Sequence, residues 1–267
     1  MKKFNLISAV ATLALTLGAS LPVAAQMTYN FGDGGNCNFP PATCTVTGSA
    51  TVASNLSMTA WTASGANFAA GDIRDWGTSG VGISPAGNNE TSPNHAIDNN
   101  GALELMLFNF NNNKVVLTGL SQGWYSGDSD VMVMRWTGAS TGPTMTSTAD
   151  FRGQSVAQLS TAGWQIMSTH DLDSTGSTAT TGITQDAANS SSWWIVSAFF
   201  SGGGYTADAY SDYFKLLSVS AKCISNTAGA ACNVVPPNTP GVPEPTTLAL
   251  AALALAGIGY SRRKNAK

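Results

Sequence analysis

The sequence is poor in charge. Only 10% of its 267 residues are Asp, Glu, Lys or Arg, against about 25% in an average soluble domain, which excludes a coiled coil or a charged disordered tail. Two histidines leave no material for a histidine-rich metal site, and four cysteines are too few for a fold held by disulfides alone. Bases are scarce in the middle of the chain: between residues 27 and 241 there are 14 acids and 6 bases, a net of −8. A phosphate backbone needs a basic face, so no nucleic-acid partner is expected. Glycine (28) and proline (11) follow no triplet period, which excludes collagen, and no repeat of fixed period runs through the chain.

The missing bases sit at the two ends. Lys2 and Lys3, the apolar run Leu6 to Leu17 and the small residues around Ala24 and Ala25 form the three regions of a secretory signal peptide. Cleavage after Ala25 is expected, which makes residues 1–25 a leader, 26–239 an exported domain and 240–267 a C-terminal signal. That last segment opens on Pro243-Glu244-Pro245, continues as an apolar stretch from Thr246 to Tyr260, and closes on Arg262-Arg263-Lys264. About 15 apolar residues span roughly 22 Å as a helix, short of a bilayer core, so the expected transmembrane helix is marginal. Its basic end stays in the cytoplasm.

Pro-Glu-Pro, short apolar helix and basic end together resemble the PEP-CTERM sorting signal. The resemblance implies exosortase, a membrane processing enzyme of Gram-negative bacteria, as partner. It also implies transient anchoring in the inner membrane, followed by the cell surface or extracellular matrix. Inside the body, Ser92 to Gly101 with Glu104, Gly123-Trp124, Asp128-Ser129-Asp130, Arg135 to Gly138, Gly163-Trp164, Ser192 to Ile195 and Asp212 to Leu216 resemble, in matching order, an exosortase-dependent surface protein family. That likeness implies location and sorting, and no catalytic residue is carried over with it.

The body reads as all-β. Short β-type segments recur at Cys44–Ala53, Leu56–Ala63, Leu103–Phe110, Val115–Leu120, Val131–Trp136, Gly163–Ser168, Trp193–Phe200 and Phe214–Cys223, separated by Gly, Asn, Ser and Asp clusters. Val131 to Met134 is apolar on both faces, as in a central strand. Leu216 breaks the alternation of its segment, and only Ser155–Ala162 suggests a short helix. The expected fold is an antiparallel β-sandwich, jelly-roll-like. In an exported chain the cysteines are expected as two local disulfides, Cys37 with Cys44 and Cys223 with Cys232; a linkage across the two ends stays open.

Residues able to carry chemistry are few. Gly138-Ala139-Ser140-Thr141-Gly142 matches the nucleophile-elbow pattern, but Pro143 follows where a helix is required, and Asp150 and His170 are close by with no α/β alternation around them. The segment Asn88 to Glu104 is dense in oxygen donors. Calcium accepts such donors, which makes Glu90, Asp98, Asn100 and Glu104 the candidate calcium ligands, although Asn and Asp are also ordinary turn formers. Asp128 and Asp130 form a second pair whose like charges call for a cation or an arginine, with Arg135, Arg74 or Arg152 as the expected salt-bridge partner. Trp124, Tyr125, Trp193, Trp194 and Tyr205 near turns suggest sugar stacking, against the ordinary role of sandwich tryptophans as core. The expected function is that of a surface or matrix protein without catalysis; the alternatives are a polysaccharide-binding module and a secreted hydrolase.

Overall fold

The computed structural model describes residues 26–32, 43–47, 55–64, 67–88, 90–111, 113–138, 155–173, 180–183, 186–201, 204, 206 and 208–226. Residues 1–25, expected as a signal peptide, and the C-terminal segment 240–267 lie outside them. Among the described residues no helix is long and apolar enough to cross a membrane.

Among the described residues there are thirteen strands and one short α-helix: β1 (Gln26–Asn30), β2 (Thr43–Thr47), β3 (Asn55–Ser64), β4 (Asn67–Asp75), β5 (Val81–Pro85), β6 (Ile97–Asp98), β7 (Ala102–Asn109), β8 (Asn113–Tyr125), β9 (Asp130–Trp136), α1 (Gln158–Ala162), β10 (Trp164–Asp171), β11 (Thr180–Gly182), β12 (Trp193–Ala198) and β13 (Tyr213–Asn226). Every strand pairing is antiparallel. The order is β10-β9-β12-β7-β3-β4-β5-β13-β8-β11, with β2 on β3 and with β1 and β6 on β13.

The all-β antiparallel class is as expected; the expected jelly-roll-like sandwich is not confirmed, and the strands join as one curled antiparallel sheet. The reason lies in β4. Its first half pairs with β3 and its second half with β5, and Gly71 belongs to both registers, opposite Ala60 and Pro85. A Cβ on Gly71 would press on Ile83 Cγ2 and Thr62 Cγ2, each at 3.0 Å, so glycine lets the strand pass between the two halves of the sheet. The curl brings the faces together. Tyr29 on β1 meets Phe110 just beyond β7 at a centroid distance of 5.6 Å, and Phe31 stacks on Phe108 at 6.2 Å. Met27, Leu56, Met58, Ile73, Ile83, Leu105, Trp194 and Val219 fill the space between, each contributing about 1.5–3 kcal/mol by leaving water.

Val131, Met132, Val133 and Met134 are all buried, with β9 paired on both edges by β10 and β12. Their continuous apolar run is therefore that of an interior strand. At Leu216 the β13–β8 ladder shifts register on both sides of the residue, so the break in alternation is a β-bulge that adds a residue to one strand. β1, β4, β5, β6 and β11 are strands that the patterning did not announce.

Candidate functional site

Nine of the body's 14 acids gather in two places. The first is under the loop between β5 and β6. The Ile83 N–H donates to Ala96 O at 3.0 Å and the Ala96 N–H to Pro93 O at 3.1 Å, which folds the loop back over β5. Asp98 and Glu104 are then 3% and 1% exposed. The Asp98 N–H donates to Glu104 Oε2 at 3.3 Å, and the Asn100 N–H to Asp98 Oδ1 at 2.9 Å. The charge of Glu90 acts on both carboxylates. Burial pushes the Asp98 carboxyl up to about 8, against the stabilising Asn100 N–H and with the charge of Glu90 adding to the rise. Burial also pushes Glu104 well above the usual carboxylate range, followed by the charges of Asp98 and Glu90. Glu90 is raised by burial and held back by the Ser84 hydroxyl beside it.

Of the four expected calcium ligands, Asp98 and Glu104 are joined by the hydrogen bond from the Asp98 N–H, and Glu90 acts on both through its charge. Among the described residues the group whose ligand atoms lie within 4.8 Å of one another is a different one, Asp128, Asp130 and Asp212. Asn100 is exposed, and its side-chain amide reaches Asn94 Oδ1 at 3.5 Å, so it serves Asp98 through its backbone N–H. Nearby, the His95 ring lies between Trp76 and Trp124 at centroid distances of 4.1 and 6.2 Å. Burial lowers its pKa, and the charge of Lys215 lowers it further.

The second gathering lines an open cleft of about 650 Å3 formed by Ser126 to Asp128, Asp130, Asp171, Asp173, Asp208, Tyr210, Ser211 and Tyr213. Asp130 on β9 lies directly across the ladder from Asp171 on β10, a like-charge pairing that a sheet tolerates poorly. Asp128 and Asp212 form a parallel bridge, and carboxylate oxygens of Asp128, Asp130 and Asp212 lie within 4.8 Å of one another. Asp212 is 2% exposed and well supplied with donors: Asn99 Nδ2 at 2.6 Å, the Asp130 N–H at 2.7 Å and the Phe199 N–H at 3.1 Å. Burial pushes Asp130 up to about 6 and Asp212 up to about 7, with neighbouring aspartates raising both. Burial likewise raises Asp128.

Neither Arg135 nor Arg74 forms the salt bridge expected for Asp128 and Asp130. Arg135 Nη2 donates to Gln165 Oε1 at 2.9 Å, Arg74 pairs with Asp72 at 3.4 Å, and Arg152 lies outside the described residues. β9 sends Arg135 away from the strand start that carries Asp130, which is why sequence proximity misleads. Ser140 and Asp150 also lie outside the described residues, as do Tyr205, Cys37, Cys232 and the Cys44 side chain. Cys223 is buried on β13. His170 Nε2 lies 2.9 Å from Ser168 Oγ on the same strand. Of the aromatics expected to stack on sugars, Trp194 is fully buried with Nε1 donating to Ser191 O at 3.0 Å, and Trp193, Trp124 and Tyr125 are half-buried. The exposed large aromatics among the described residues are Trp76 and Tyr210.

No curated protein and no solved structure matches the chain. Residues 241–264, which hold Pro243, Glu244, Pro245, Arg262, Arg263 and Lys264, match the family description PEP-CTERM protein-sorting motif. The chain therefore carries a PEP-CTERM sorting motif, the mark of an exported protein handed to exosortase.

Proposed function

We propose that the chain is a non-catalytic surface or extracellular-matrix protein of a Gram-negative bacterium, exported behind residues 1–25 and sorted by residues 240–267. The observation that carries this reading is the sorting motif at 241–264. A chain truncated before Gly241 tests the reading: it should fail to reach the surface fraction that the full chain reaches. Equal surface levels would refute it.

A second reading, polysaccharide binding, is favoured by the cleft rather than by the tryptophans. Tyr210, 73% exposed, and Tyr213 stand among carboxylates there, and aromatic faces beside hydrogen-bond acceptors are what a sugar ring needs. Binding of acid-free extracellular polysaccharide, lost in Tyr210→Ala, tests it. The secreted-hydrolase reading draws on the same carboxylates and predicts turnover that is lost in Asp130→Asn; binding without turnover would set it aside.

A further inference from the structure

Two consecutive asparagines lie in the bend between β6 and β7, and the fold treats them differently. Asn99 is engaged at both ends of its carboxamide: Nδ2 donates to Asp212 Oδ2 at 2.6 Å and to Phe199 O at 2.9 Å, and Oδ1 accepts the Asp212 N–H at 2.9 Å. Asn100 is exposed, and among the described residues its carboxamide makes only a long contact, Nδ2 to Asn94 Oδ1 at 3.5 Å. The Asn100 N–H donates to Asp98 Oδ1 at 2.9 Å, so the backbone is held while the amide end stands in solvent. Asparagine is a thermolabile side chain, and of these two it is Asn100 that is left open to react.

The following residue supplies the reaction partner. Gly101 is exposed, has φ +81°, and a Cβ there would meet nothing within 4 Å. Without a side chain, nothing on Gly101 shields its backbone nitrogen from the Asn100 carboxamide. Asn100-Gly101 is the one Asn-Gly dipeptide in the sequence.

We propose that Asn100-Gly101 is a self-modification site, at which the folded chain converts Asn100 to aspartate and isoaspartate as it ages. The Gly101 nitrogen attacks Asn100 Cγ, and the carboxamide nitrogen leaves as ammonia with the proton that Gly101 gives up, closing a succinimide. Water then opens the ring at Cγ, which yields aspartate, or at the Asn100 main-chain carbonyl carbon, which yields isoaspartate and reroutes the backbone through Cβ and Cγ. Water is the co-reactant. Either product puts a new carboxylate next to Asp98, which is 3% exposed and bonded to the Asn100 N–H. Like charge beside a buried carboxyl is unfavourable, so conversion loosens the bend that leads into β7. The site stands apart from the sorting motif, and its failure would leave that reading untouched.

The test incubates the purified exported chain at mildly alkaline pH, folded in one sample and unfolded in urea in another, and follows both by peptide mapping and isoaspartyl methyltransferase labelling. The folded chain should convert at Asn100 within about tenfold of the unfolded rate, because an exposed bend opens at almost no cost. Asn100→Gln should abolish conversion at this position with an unchanged circular dichroism spectrum. Asn100→Gly moves the same dipeptide onto Asn99; it should convert in urea and be protected in the fold. Asn100→Asp should lower the melting temperature as the aged chain does. A folded chain that keeps Asn100 intact while the unfolded chain converts would overturn the proposal. So would folded Asn100→Gly converting at Asn99 as fast as in urea, or an Asn100→Asp chain and an aged chain that melt like the parent.

Discussion

Lys215 Nζ stands 4.5 Å from the ring centroid of Trp124, with Trp76 supplying a second ring at 4.3 Å. The lysine is 4% exposed, and burial pulls its pKa down to about 8 from its ordinary 10.5. A base whose pKa is lower in the folded state binds fewer protons there than in the unfolded chain, so its charge opposes folding at neutral pH. That opposition fades as pH rises through about 8 toward 10.5. Denaturant unfolding of the parent chain and of Lys215→Met should show stability rising across this window in the parent, with the rise reduced in the variant. The indole faces soften the penalty, so Trp124→Ala should destabilise the chain by about 3 kcal/mol through lost packing and lost cation–π contact together.

The acidic cleft carries the opposite sign. Asp130 and Asp212 have folded pKa values of about 6 and about 7, above the ordinary 3.8. Their contribution is fully present below about 3.8 and is lost as pH rises through 6 and 7. The melting temperature should therefore fall between pH 4 and pH 7, and Asp130→Asn should flatten that fall. Asp212→Ala is a different change. It strips acceptors from Asn99 and from the Asp130 and Phe199 N–H groups, and should cost about 3 kcal/mol at low pH, less as pH rises through about 7.

Much of the fold is legible in the chain because strand signals are local. Leu56–Ala63, Leu103–Phe110 and Val131–Trp136 each fall within a residue or two of β3, β7 and β9, and the irregular Leu216 marks a true bulge. β4 and β5 escape because their sequences, NFAAGDIRD and VGISP, carry Gly, Pro and charges inside the strands; those residues serve a corner between sheet halves, which is a tertiary demand. The sites divide in the same way. Glu90, Asp98 and Glu104 are close in sequence and were visible as a group. The cleft draws Asp128 and Asp130 together with Asp171, Asp173 and Asp208, which only the β9–β10 register and the chain before β13 bring near. The Asp128 and Asp130 pair was the part of it that local spacing disclosed.

Close approach of two backbones gives a third prediction. Gly80 has φ +88° just before β5, and a Cβ there would overlap the Leu216 carbonyl at the bulge of β13; Gly87, φ +74°, has nothing within 4 Å. Both substitutions by alanine carry the strain of positive φ, about 1 kcal/mol. Gly80→Ala should cost clearly more than Gly87→Ala in denaturant unfolding, because backbone atoms cannot step aside.

The cysteines give a fourth. Short loops between Cys37 and Cys44 and between Cys223 and Cys232 are expected to close as local bridges in the exported chain, each worth about 2–3 kcal/mol. Peptide mapping without reductant should recover these two pairs. Recovery of a link between the two ends of the body would replace them.

Sorting through the C-terminal motif at 241–264 is the claim on which the functional reading depends. Its most direct measurement is the distribution of the full chain between inner membrane and surface in otherwise identical cells with and without a working exosortase. The chain should accumulate in the inner membrane when the enzyme is missing and reach the surface when it is restored. Equal arrival at the surface in both cells would contradict the account.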